Sequence, residues 1–427
     1  MTSTLRITRR AADRLRAGHL WVYRSDVEQP DDTLTLGALV TVVDNRTIPL
    51  GTALYSTTSQ IAARLISRTP AFTREQYLAD LRDRIEAALT LRRELTPITP
   101  ENNAHRLIFA EADDIPGIIA DRYSDLVLLQ LLTQGTAQDD VRKVIIEALH
   151  GQLAANNESL TIWERPDPRI RELEQLPPPA AGPLFTNASP PEAAPITTTF
   201  DLNGLRFHYD ASAGQKTGAF LDQRLNYDAA ARHVLASGRT GRALDVCTYQ
   251  GGFALHLARV CSQVTGVDQS RSALEAADRN FALNPNLSAS VDWVEADAFT
   301  LLRALDDATR NPASVASLPL EPGPFDAIVL DPPAFAKSKR AAEGALRGYK
   351  ELNLRAIRLL TPGGTLITCS CSHHVSLADF TEIVSFAAAD AGRRVQLLET
   401  RAAAPDHPEV LTLSETRYLK CLICRVD

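Results

Sequence analysis

The second half of the chain alternates between short apolar segments and segments with helical spacing, and this alternation limits the fold more than any other feature. The apolar runs predict strands at 242–247, 264–268, 291–295, 327–331 and 365–370, with helices at 253–260, 272–283 and 352–360. Buried strands that alternate with helices are typical of a parallel sheet covered on both faces. The pattern therefore predicts an α/β fold with a doubly wound sheet, whose ligands bind at the carboxyl ends of the strands.

A proline-rich segment, 177–195, separates this half from the rest of the 427 residues. Seven of its nineteen residues are proline, which cannot donate a backbone hydrogen bond, so we expect an extended linker rather than a packed helix or a central strand. Upstream, 38–43 and 51–55 predict short strands, and the apolar spacing in 74–95 predicts an amphipathic helix. These patterns predict a domain boundary near residue 70, the linker at 177–195 and the doubly wound domain at 196–427.

The charges are unevenly distributed, although the formal net charge is −7. Residues 1–25 hold six arginines and one acid, and residues 337–358 hold seven bases and two acids. Residues 100–175 hold fourteen acids and seven bases, and this acidic middle hides both basic segments in the total. Clustered bases suit phosphate contacts with a nucleic acid, although solvated helix faces would have the same composition.

The cysteines and the apolar runs bear on the compartment. The chain has no apolar run long enough for a transmembrane helix, and 1–16 lack the apolar core of a secretory signal. All six cysteines lie in the C-terminal half, which favours a reducing cytoplasm over a secreted disulfide framework. We expect no metal site, because the odd spacing of Cys421 and Cys424 on one strand sends their side chains to opposite faces.

A turn with two glycines follows the first strand of the predicted sheet. It runs Thr248-Tyr-Gln-Gly-Gly-Phe253, and the residues that we expect to contact a cofactor are Tyr249, Gly251, Gly252 and Phe253. Glycines at a strand-to-helix turn let the backbone approach a ligand closely. The spacing differs from the GxGxxG of dinucleotide sites, and the carboxylate of Asp245 would repel a phosphate there. A carboxylate at this position suits a cationic amino-acid ligand.

Two more acids follow the next strands. Asp268 ends the second strand, where a carboxylate can accept hydrogen bonds from ribose hydroxyls. Asp297 follows the third strand, where a carboxylate can meet the amino group of an adenine. One glycine turn and three strand-end acids together favour S-adenosylmethionine over NAD as the cofactor. The alternative is that each acid only caps the helix that follows it.

The fourth and fifth strands end in residues suited to chemistry. Asp331 is followed by two prolines, which hold the carboxylate at the mouth of the sheet, and Cys369 and Cys371 lie at the end of the next strand. A thiolate there can attack C6 of a pyrimidine, so that C5 takes a methyl group before a base removes the C5 proton and the thiolate leaves. Alternation on a regular strand turns both cysteines to the same face, so spacing does not choose between them. Buried, inert cysteines are the alternative.

Several stretches resemble one known family. They are 214–224 (Gly-Gln-Lys-Thr-Gly-Ala-Phe-Leu-Asp-Gln-Arg), the glycine turn, 331–339, 347–350, 370–372, 406–408 and 418–420. Over nearly its whole length the chain is similar to the bacterial 23S ribosomal RNA cytosine-C5 methyltransferases, class I S-adenosylmethionine-dependent enzymes with an N-terminal PUA domain. The resemblance implies a PUA-like RNA-binding domain at 1–70, a small α+β connector at 71–176 and a class I methyltransferase domain, with a Rossmann-like doubly wound sheet, at 196–427.

The resemblance also implies roles for individual residues. Cys371, in the Ser-Cys-Ser sequence, takes the place of the catalytic cysteine, and Cys369 takes an ordinary strand position. Asp331 would orient the base or assist proton transfer. Gln250 stands where the family usually has threonine, which bears on substrate detail more than on activity. The residues expected to help form the cofactor or substrate crevice are Lys216, Thr217, Phe220, Gln223 and Arg224.

The expected activity is methylation of C5 of a cytosine in 23S ribosomal RNA, through a covalent cysteine adduct and with S-adenosylmethionine as cofactor. The expected partner is 23S ribosomal RNA or a large-subunit assembly intermediate in the cytoplasm, with no membrane involved and a homodimer left open. A base inside a duplex is out of reach, so an accessible or flipped-out cytosine is expected. Two alternatives stay open: methylation of a purine nitrogen, which needs no thiol, and a non-catalytic RNA-binding role in ribosome assembly.

Overall fold

The computed structural model describes residues 3–29, 34–153, 159–165, 167–188, 194–212, 219–310, 318–335 and 342–427. The chain forms two compact units. The first unit comprises Met1–Asp201, Tyr209–Gly218 and Pro405–Thr416, and the second comprises Leu202–His208, Ala219–Ala404 and Arg417–Asp427. Pro405–Thr416 thus belongs to the first unit, although the chain directly before and after it belongs to the second. Within the ranges described, no helix is long and apolar enough to cross a membrane.

The first unit contains a six-stranded sheet near the N-terminus. Its elements are β1 (Ser3–Ile7), α1 (Arg9–Arg16), β2 (Trp21–Tyr23), β3 (Val27–Gln29), β4 (Leu39–Val43), β5 (Pro49–Tyr55) and β6 (Ile61–Ser67). The strand order is β2-β6-β5-β4-β1-β3, and β4 and β5 confirm the two strands predicted there. Thr8 caps α1 by accepting a hydrogen bond from the N–H of Ala11, and Leu15 packs into the apolar core of this sheet.

A five-stranded sheet follows in the same unit. Its elements are α2 (Arg74–Leu95), β7 (Ala104–Phe109), β8 (Ile118–Tyr123), β9 (Leu126–Leu131), α3 (Asp139–Leu153), β10 (Thr161–Glu164), α4 (Pro168–Glu174) and β11 (Phe185–Thr186). The strand order is β11-β10-β9-β8-β7. The helix predicted at 74–95 is confirmed as α2: Leu81, Ile85 and Leu89 face the core, and Thr73 and Gln76 form a capping box at its start.

The proline-rich segment predicted as a linker contains a short strand. Phe185–Thr186 form β11, which pairs with β10 at the edge of the five-stranded sheet. An edge strand tolerates nearby prolines because one side of its backbone needs no partner. Residues 189–193 of the segment lie outside the described residues. The division into four parts, with limits at 70, 176 and 195, stays a prediction.

A two-stranded hairpin follows, formed by β12 (Thr197–Leu202) and β13 (Leu205–Asp210). Its turn is Asn203-Gly204, and these residues have positive φ angles of 52° and 76°. An Asn-Gly pair between alternating apolar residues is a preferred two-residue hairpin loop. The hairpin supplies Leu202–His208 to the second unit.

The second unit is built on a seven-stranded sheet. Its strands are β14 (Arg242–Val246), β15 (Gln263–Asp268), β16 (Ser290–Glu295), β17 (Phe325–Leu330), β18 (Leu360–Ser370), β19 (Val395–Arg401) and β20 (Lys420–Val426). Its helices are α5 (Arg224–Ser237), α6 (Gly252–Leu257), α7 (Arg271–Ala282), α8 (Ala298–Arg310), α9 (Ala342–Leu359) and α10 (Leu377–Ala391). The order is β16-β15-β14-β17-β18-β20-β19, parallel except that β20 runs antiparallel to both neighbours. The predicted doubly wound sheet is confirmed, and its order reverses between β14 and β17, where ligands bind in such folds.

Alternate residues of the central strands enter two separate apolar clusters. In β17, Val329 lies in one cluster, and its neighbours Ile328 and Leu330 lie in the other. In β20, Cys421 and Cys424 also lie in different clusters, so their odd spacing has the predicted effect. The part of the chain that the structure describes has no group of three or more His, Cys, Asp or Glu side chains able to hold a metal ion.

Candidate active site

Asp245, near the carboxyl end of β14, is a fully buried carboxylate. Its Oδ2 accepts hydrogen bonds from the Thr248 hydroxyl at 2.6 Å and from the N–H of Ala254 at 2.9 Å. Its Oδ1 is buried and has no hydrogen-bond partner among the described residues. Burial raises the pKa of Asp245 to about 7, because a charge is poorly solvated there. A cationic group at Oδ1 would give this atom a partner and favour the ionised form.

The turn after β14 has a backbone that few side chains allow. Cys247, Tyr249 and Gly251 have φ angles of 66°, 50° and 84°, in the left-handed region. Such strain costs free energy and is concentrated at ligand sites. Gly252 is required for a different reason, because a Cβ on it would lie 2.4 Å from the ring of Tyr227. The left-handed backbone is consistent with the expected close approach of a ligand, whereas Gly252 is explained by packing within the protein.

Asp268 and Asp297 are both engaged with the backbone. Asp268 Oδ2 accepts from the N–H of Tyr249 at 3.0 Å, and its Oδ1 accepts from the N–H of Ser270 at 2.9 Å, which ties the glycine turn to the end of β15. Asp297 Oδ1 accepts from the N–H of Thr300 at 2.9 Å and from its hydroxyl at 2.8 Å. These bonds lower the pKa of Asp297. Asp297 therefore caps α8, as the simpler interpretation expects, and its contact with an adenine stays a prediction.

A crevice connects the glycine turn with the end of β17. Its lining residues are Leu202, Phe207, Ala219, Phe220, Tyr227, Cys247, Thr248, Tyr249, Gln250, Gly252, Phe253 and Asp331. The crevice thus brings Tyr249, Gly252 and Phe253, from the turn, together with Asp331. The ring centroid of Phe220 lies 5.0 Å from that of Tyr249. Three of the predicted cofactor residues therefore share one cavity of the second unit with Asp331, whereas Cys371, Asp245, Asp268 and Asp297 are not part of its lining.

Asp331 is held by a chain of side-chain amides. Gln223 Nε2 donates to Asp331 Oδ2 at 3.0 Å, and Gln223 Oε1 accepts from Asn226 Nδ2 at 2.7 Å. Asn226 Oδ1 in turn accepts from Arg401 Nε at 2.8 Å. Because a guanidinium can only donate, the chain has one polarity and presents an N–H of Gln223 to Asp331.

The resemblance also implies that Arg224, Lys216 and Thr217 help form the crevice. Arg224 begins α5 and is buried, and its Nη1 donates to the carbonyl of Leu221 at 3.3 Å. It is not part of the crevice lining. Lys216 and Thr217 lie outside the described residues.

The two cysteines near the end of β18 have different surroundings. Cys369 is fully buried opposite Cys421 of β20, and burial raises its pKa well above the usual value. Cys371 follows β18 and is half-buried, with its Sγ 3.8 Å from the carbonyl oxygen of Pro332. Pro332 comes directly after Asp331, so Cys371 lies beside the turn that carries this acid. The structure separates a core cysteine from one at the carboxyl edge of the sheet, a distinction that spacing alone does not provide.

Two residues with no individual role assigned from the sequence surround Cys371. The Tyr349 hydroxyl lies 2.9 Å from Ser372 Oγ and accepts a hydrogen bond from Ser370 Oγ at 3.0 Å. Lys420 Nζ donates to the carbonyl of Ser372 at 2.7 Å. Both residues lie in stretches that carry the family resemblance, and that resemblance is the only sequence signal that marks them.

Most bases of the two basic segments are paired with acids. Among the described residues, the paired bases are Arg9 with Asp13, Arg14 with Asp26, Arg16 with Asp44, Arg347 with Glu343, Lys350 with Asp390, and Arg355 and Arg358 with Asp306. Asp306 is 1% exposed, so its arginines connect α8 and α9 rather than forming a free basic face. Within the described ranges, Arg6 and Arg10 form no ion pair. The phosphate-binding surface expected at 337–358 is therefore reduced, and its bases at 337, 339 and 340 lie outside the described residues.

Matches to known families agree with this geometry. Residues 190–425 match the S-adenosylmethionine-dependent methyltransferases, and residues 5–68 match the PUA-like domains. The unpartnered Oδ1 of Asp245 suits the cationic amino group of S-adenosylmethionine, so the site fits this cofactor. The chain is therefore an S-adenosylmethionine-dependent methyltransferase with a PUA-like domain, and the predicted fold class and cofactor are confirmed.

Curated relatives define the family further. A Citrobacter koseri protein named Ribosomal RNA large subunit methyltransferase I is 36% identical over 417 residues, covering 96% of this chain and 95% of its own. A protein of the same name from Enterobacter sp. strain 638 is 34% identical over 429 residues and covers 100% of both chains. The chain belongs to this family, which confirms the resemblance found in its sequence.

Two solved structures share the fold. A chain from Streptococcus mutans described as a SAM-dependent methyltransferase has a TM-score of 0.77 at 19% identity, covering 99% of this chain and 100% of its own. A methyltransferase complexed with SAH has a TM-score of 0.76 at the same 19% identity and the same coverage. At this identity the likeness establishes the fold alone.

Proposed function

We propose that this enzyme methylates C5 of a cytosine in 23S ribosomal RNA. The names of the curated relatives and the PUA-like domain support a large-subunit ribosomal RNA substrate. The observation that carries the choice of C5 is the position of Cys371. It is a half-buried thiol at the carboxyl edge of β18, with its Sγ 3.8 Å from the carbonyl oxygen of Pro332. Methylation of a purine nitrogen would need no thiol there.

The residues around the glycine turn would hold the cofactor. Asp245 Oδ1 suits the amino group, Asp268 the ribose hydroxyls and Asp297 the amino group of the adenine. The hydrogen bonds that Asp268 and Asp297 already accept leave them capacity for more, because each carboxylate oxygen has two lone pairs. When bound, the cofactor supplies an electrophilic methyl group. Tyr249 and Gly252 would contact it from the crevice wall.

The proposed reaction begins with attack of the Cys371 thiolate on C6 of the cytosine. The Sγ–C6 bond forms as the C5–C6 electron pair moves to C5. C5 then bonds the electrophilic methyl group, whose bond to the cofactor sulfur breaks with both electrons staying on that sulfur. A base removes the C5 proton, the released electron pair restores the C5–C6 double bond, and the Sγ–C6 bond breaks to free the thiolate. Asp331, held by Gln223, would orient the pyrimidine or assist this proton transfer.

Cys371→Ala should lower methylation by about 10³-fold or more, because covalent activation of C5 is lost. The measurement is transfer of a labelled methyl group from S-adenosylmethionine to ribosomal RNA by the full chain. Cys369→Ala is the matched control, since it removes a buried thiol from β18, two residues before Cys371, and should keep most of the activity. Retained methylation in Cys371→Ala would contradict the C5 mechanism and favour a purine nitrogen.

The substrate can be identified by mapping 5-methylcytosine in the RNA of cells with and without the gene. We expect loss of 5-methylcytosine in 23S ribosomal RNA when the gene is absent. Comparison of protein-free RNA with isolated large-subunit particles as substrates then shows which form is methylated. Unchanged RNA methylation combined with impaired subunit assembly would support the non-catalytic role instead.

A further inference from the structure

Lys420, the first residue of β20, is a buried cation. It is 5% exposed, whereas lysines are almost never buried without a partner. Its Nζ donates to the backbone carbonyls of Ser372 and Tyr418, both at 2.7 Å. No carboxylate in the described part of the chain lies within ion-pair distance of it. Two neutral carbonyl groups leave this buried positive charge without a counter-ion.

The backbone around Lys420 places it next to Cys371. The ladder between β18 and β20 pairs Lys420 with Ser370, the residue before Cys371. The ammonium group bonds the carbonyl of Ser372, the residue after Cys371. Lys420 therefore contacts the chain on both sides of the candidate nucleophile.

The electrostatics of the two groups are linked. Burial lowers the pKa of Lys420 to about 8, while a negative charge on Cys371 raises it. The interaction is mutual, so the ammonium favours the thiolate as much as the thiolate favours the ammonium. A nearby lysine is one of the arrangements that make a thiol reactive. The buried cation gains its counter-ion when Cys371 ionises.

Among the described residues near Cys371, the other ionisable groups do not supply the positive charge that Lys420 provides. Tyr349 contacts the turn from α9, and burial raises its pKa, so it stays neutral. Asp331 is acidic and would disfavour a thiolate. His373 is exposed, and its ring centroid lies 5.6 Å from that of Tyr418.

We propose that Lys420 is a positioning residue that holds Cys371 as the thiolate of an ammonium–thiolate pair, ready to attack the pyrimidine. Tyr349 forms neutral hydrogen bonds with Ser370 and Ser372, the residues on either side of Cys371. It therefore fixes the geometry of this segment and adds no charge to it. The inference rests on the proposed role of Cys371 and adds the source of its reactivity.

The test is the pH dependence of Cys371 alkylation by iodoacetamide in the full chain, followed by peptide mass spectrometry. We expect the native midpoint to lie below the ordinary thiol value of about 8.5. Lys420→Gln should raise the midpoint by about one unit, so that alkylation at neutral pH slows about tenfold. Lys420→Arg should keep most of the native behaviour because it preserves the charge. Tyr349→Phe is the matched control and should leave the midpoint unchanged.

Two results would overturn the inference. One is a pH midpoint of Cys371 alkylation, in the native chain, that lies at or above the ordinary thiol value. This measurement needs no variant, so it decides the question even if Lys420→Gln does not fold. The other is an equal midpoint in the native chain and in folded Lys420→Gln. Failure of the proposed function would be seen separately, because Cys371→Ala would then retain methylation whatever the alkylation midpoint.

Discussion

In the proposed cofactor site, the carboxylate of Asp245 would link proton binding to cofactor binding. In the free protein, burial raises its pKa to about 7, so the group is mostly protonated below that pH. The cationic amino group of S-adenosylmethionine, bound at Oδ1, would favour the charged form, so binding below pH 7 would release a proton from Asp245. Affinity should therefore rise with pH toward 7, by at most about tenfold per unit, and should gain nothing more from this group above its pKa.

Calorimetry with S-adenosylhomocysteine, which has the same amino group, measures this coupling. Titrations near pH 6 in two buffers of different ionisation enthalpy should show release of most of one proton by the native chain. Asp245→Asn should bind more weakly and release none from this position. Equal proton release by both proteins would show that another group is responsible.

Residues differ in how far their place at the site could be predicted. Asp268, Asp331 and Cys371 directly follow apolar runs, so their position at the carboxyl edge follows from the strands themselves. Lys420 reaches the same edge only because β20 is antiparallel to β18, which puts its first residue where β18 ends. The direction of a strand depends on distant pairing, and nothing in the local sequence reports it.

At the scale of elements, the junction of the glycine turn and α6 is the most constrained by packing. Gly252→Ala should lower the free energy of unfolding by about 1–3 kcal/mol, because its Cβ would lie 2.4 Å from the Tyr227 ring and one of them must move. It should also weaken binding of S-adenosylhomocysteine, since both residues line the crevice. Urea unfolding and calorimetry measure the two effects.

Gly151→Ala, in α3, is the matched control for this substitution. A Cβ at Gly151 meets nothing within 4 Å, so the change should be neutral or slightly stabilising. If both variants unfold at the same urea concentration as the native chain, the close packing of Gly252 against Tyr227 is not a constraint.

The elements that could be predicted are those with strong local signals. α2 has both a capping box and an apolar stripe, and its predicted bounds agree with the structure. The β12–β13 hairpin has a usable signal in Asn203-Gly204, although no strands are predicted there. β19 is half-exposed or exposed along its whole length, so it has no apolar run that would reveal it.

For the whole molecule, the net charge of −7 means that the proposed RNA substrate would have to bind a limited basic surface. Arg6 and Arg10 form no ion pair within the described ranges, and so are candidates for binding phosphates. Replacing both with glutamine should weaken RNA binding and reduce the slope of log K against log salt by about 0.7–0.9 for each phosphate that is no longer neutralised. Filter binding at several salt concentrations gives this slope.

Arg355→Gln separates a structural arginine from one that binds RNA. Arg355 pairs at 2.5 Å with Asp306, which is 1% exposed, so its loss should lower thermal stability and leave the salt slope unchanged. Suppose that Arg355→Gln reduces the slope of log K against log salt and that the variant at Arg6 and Arg10 does not. The RNA-binding surface would then include α9 rather than the N-terminal arginines.

The membership of Pro405–Thr416 in the first unit bears on how such a chain can evolve. Within that unit the carbonyl of Asp406 accepts from Arg92 Nη2 at 2.9 Å, and its Oδ2 accepts from the N–H of Arg106 at 2.8 Å. A methyltransferase fragment cut at the proline-rich segment would carry Asp406 without either arginine. Domain shuffling at that segment is therefore disfavoured, and the two units are expected to be inherited as one gene rather than as exchangeable modules.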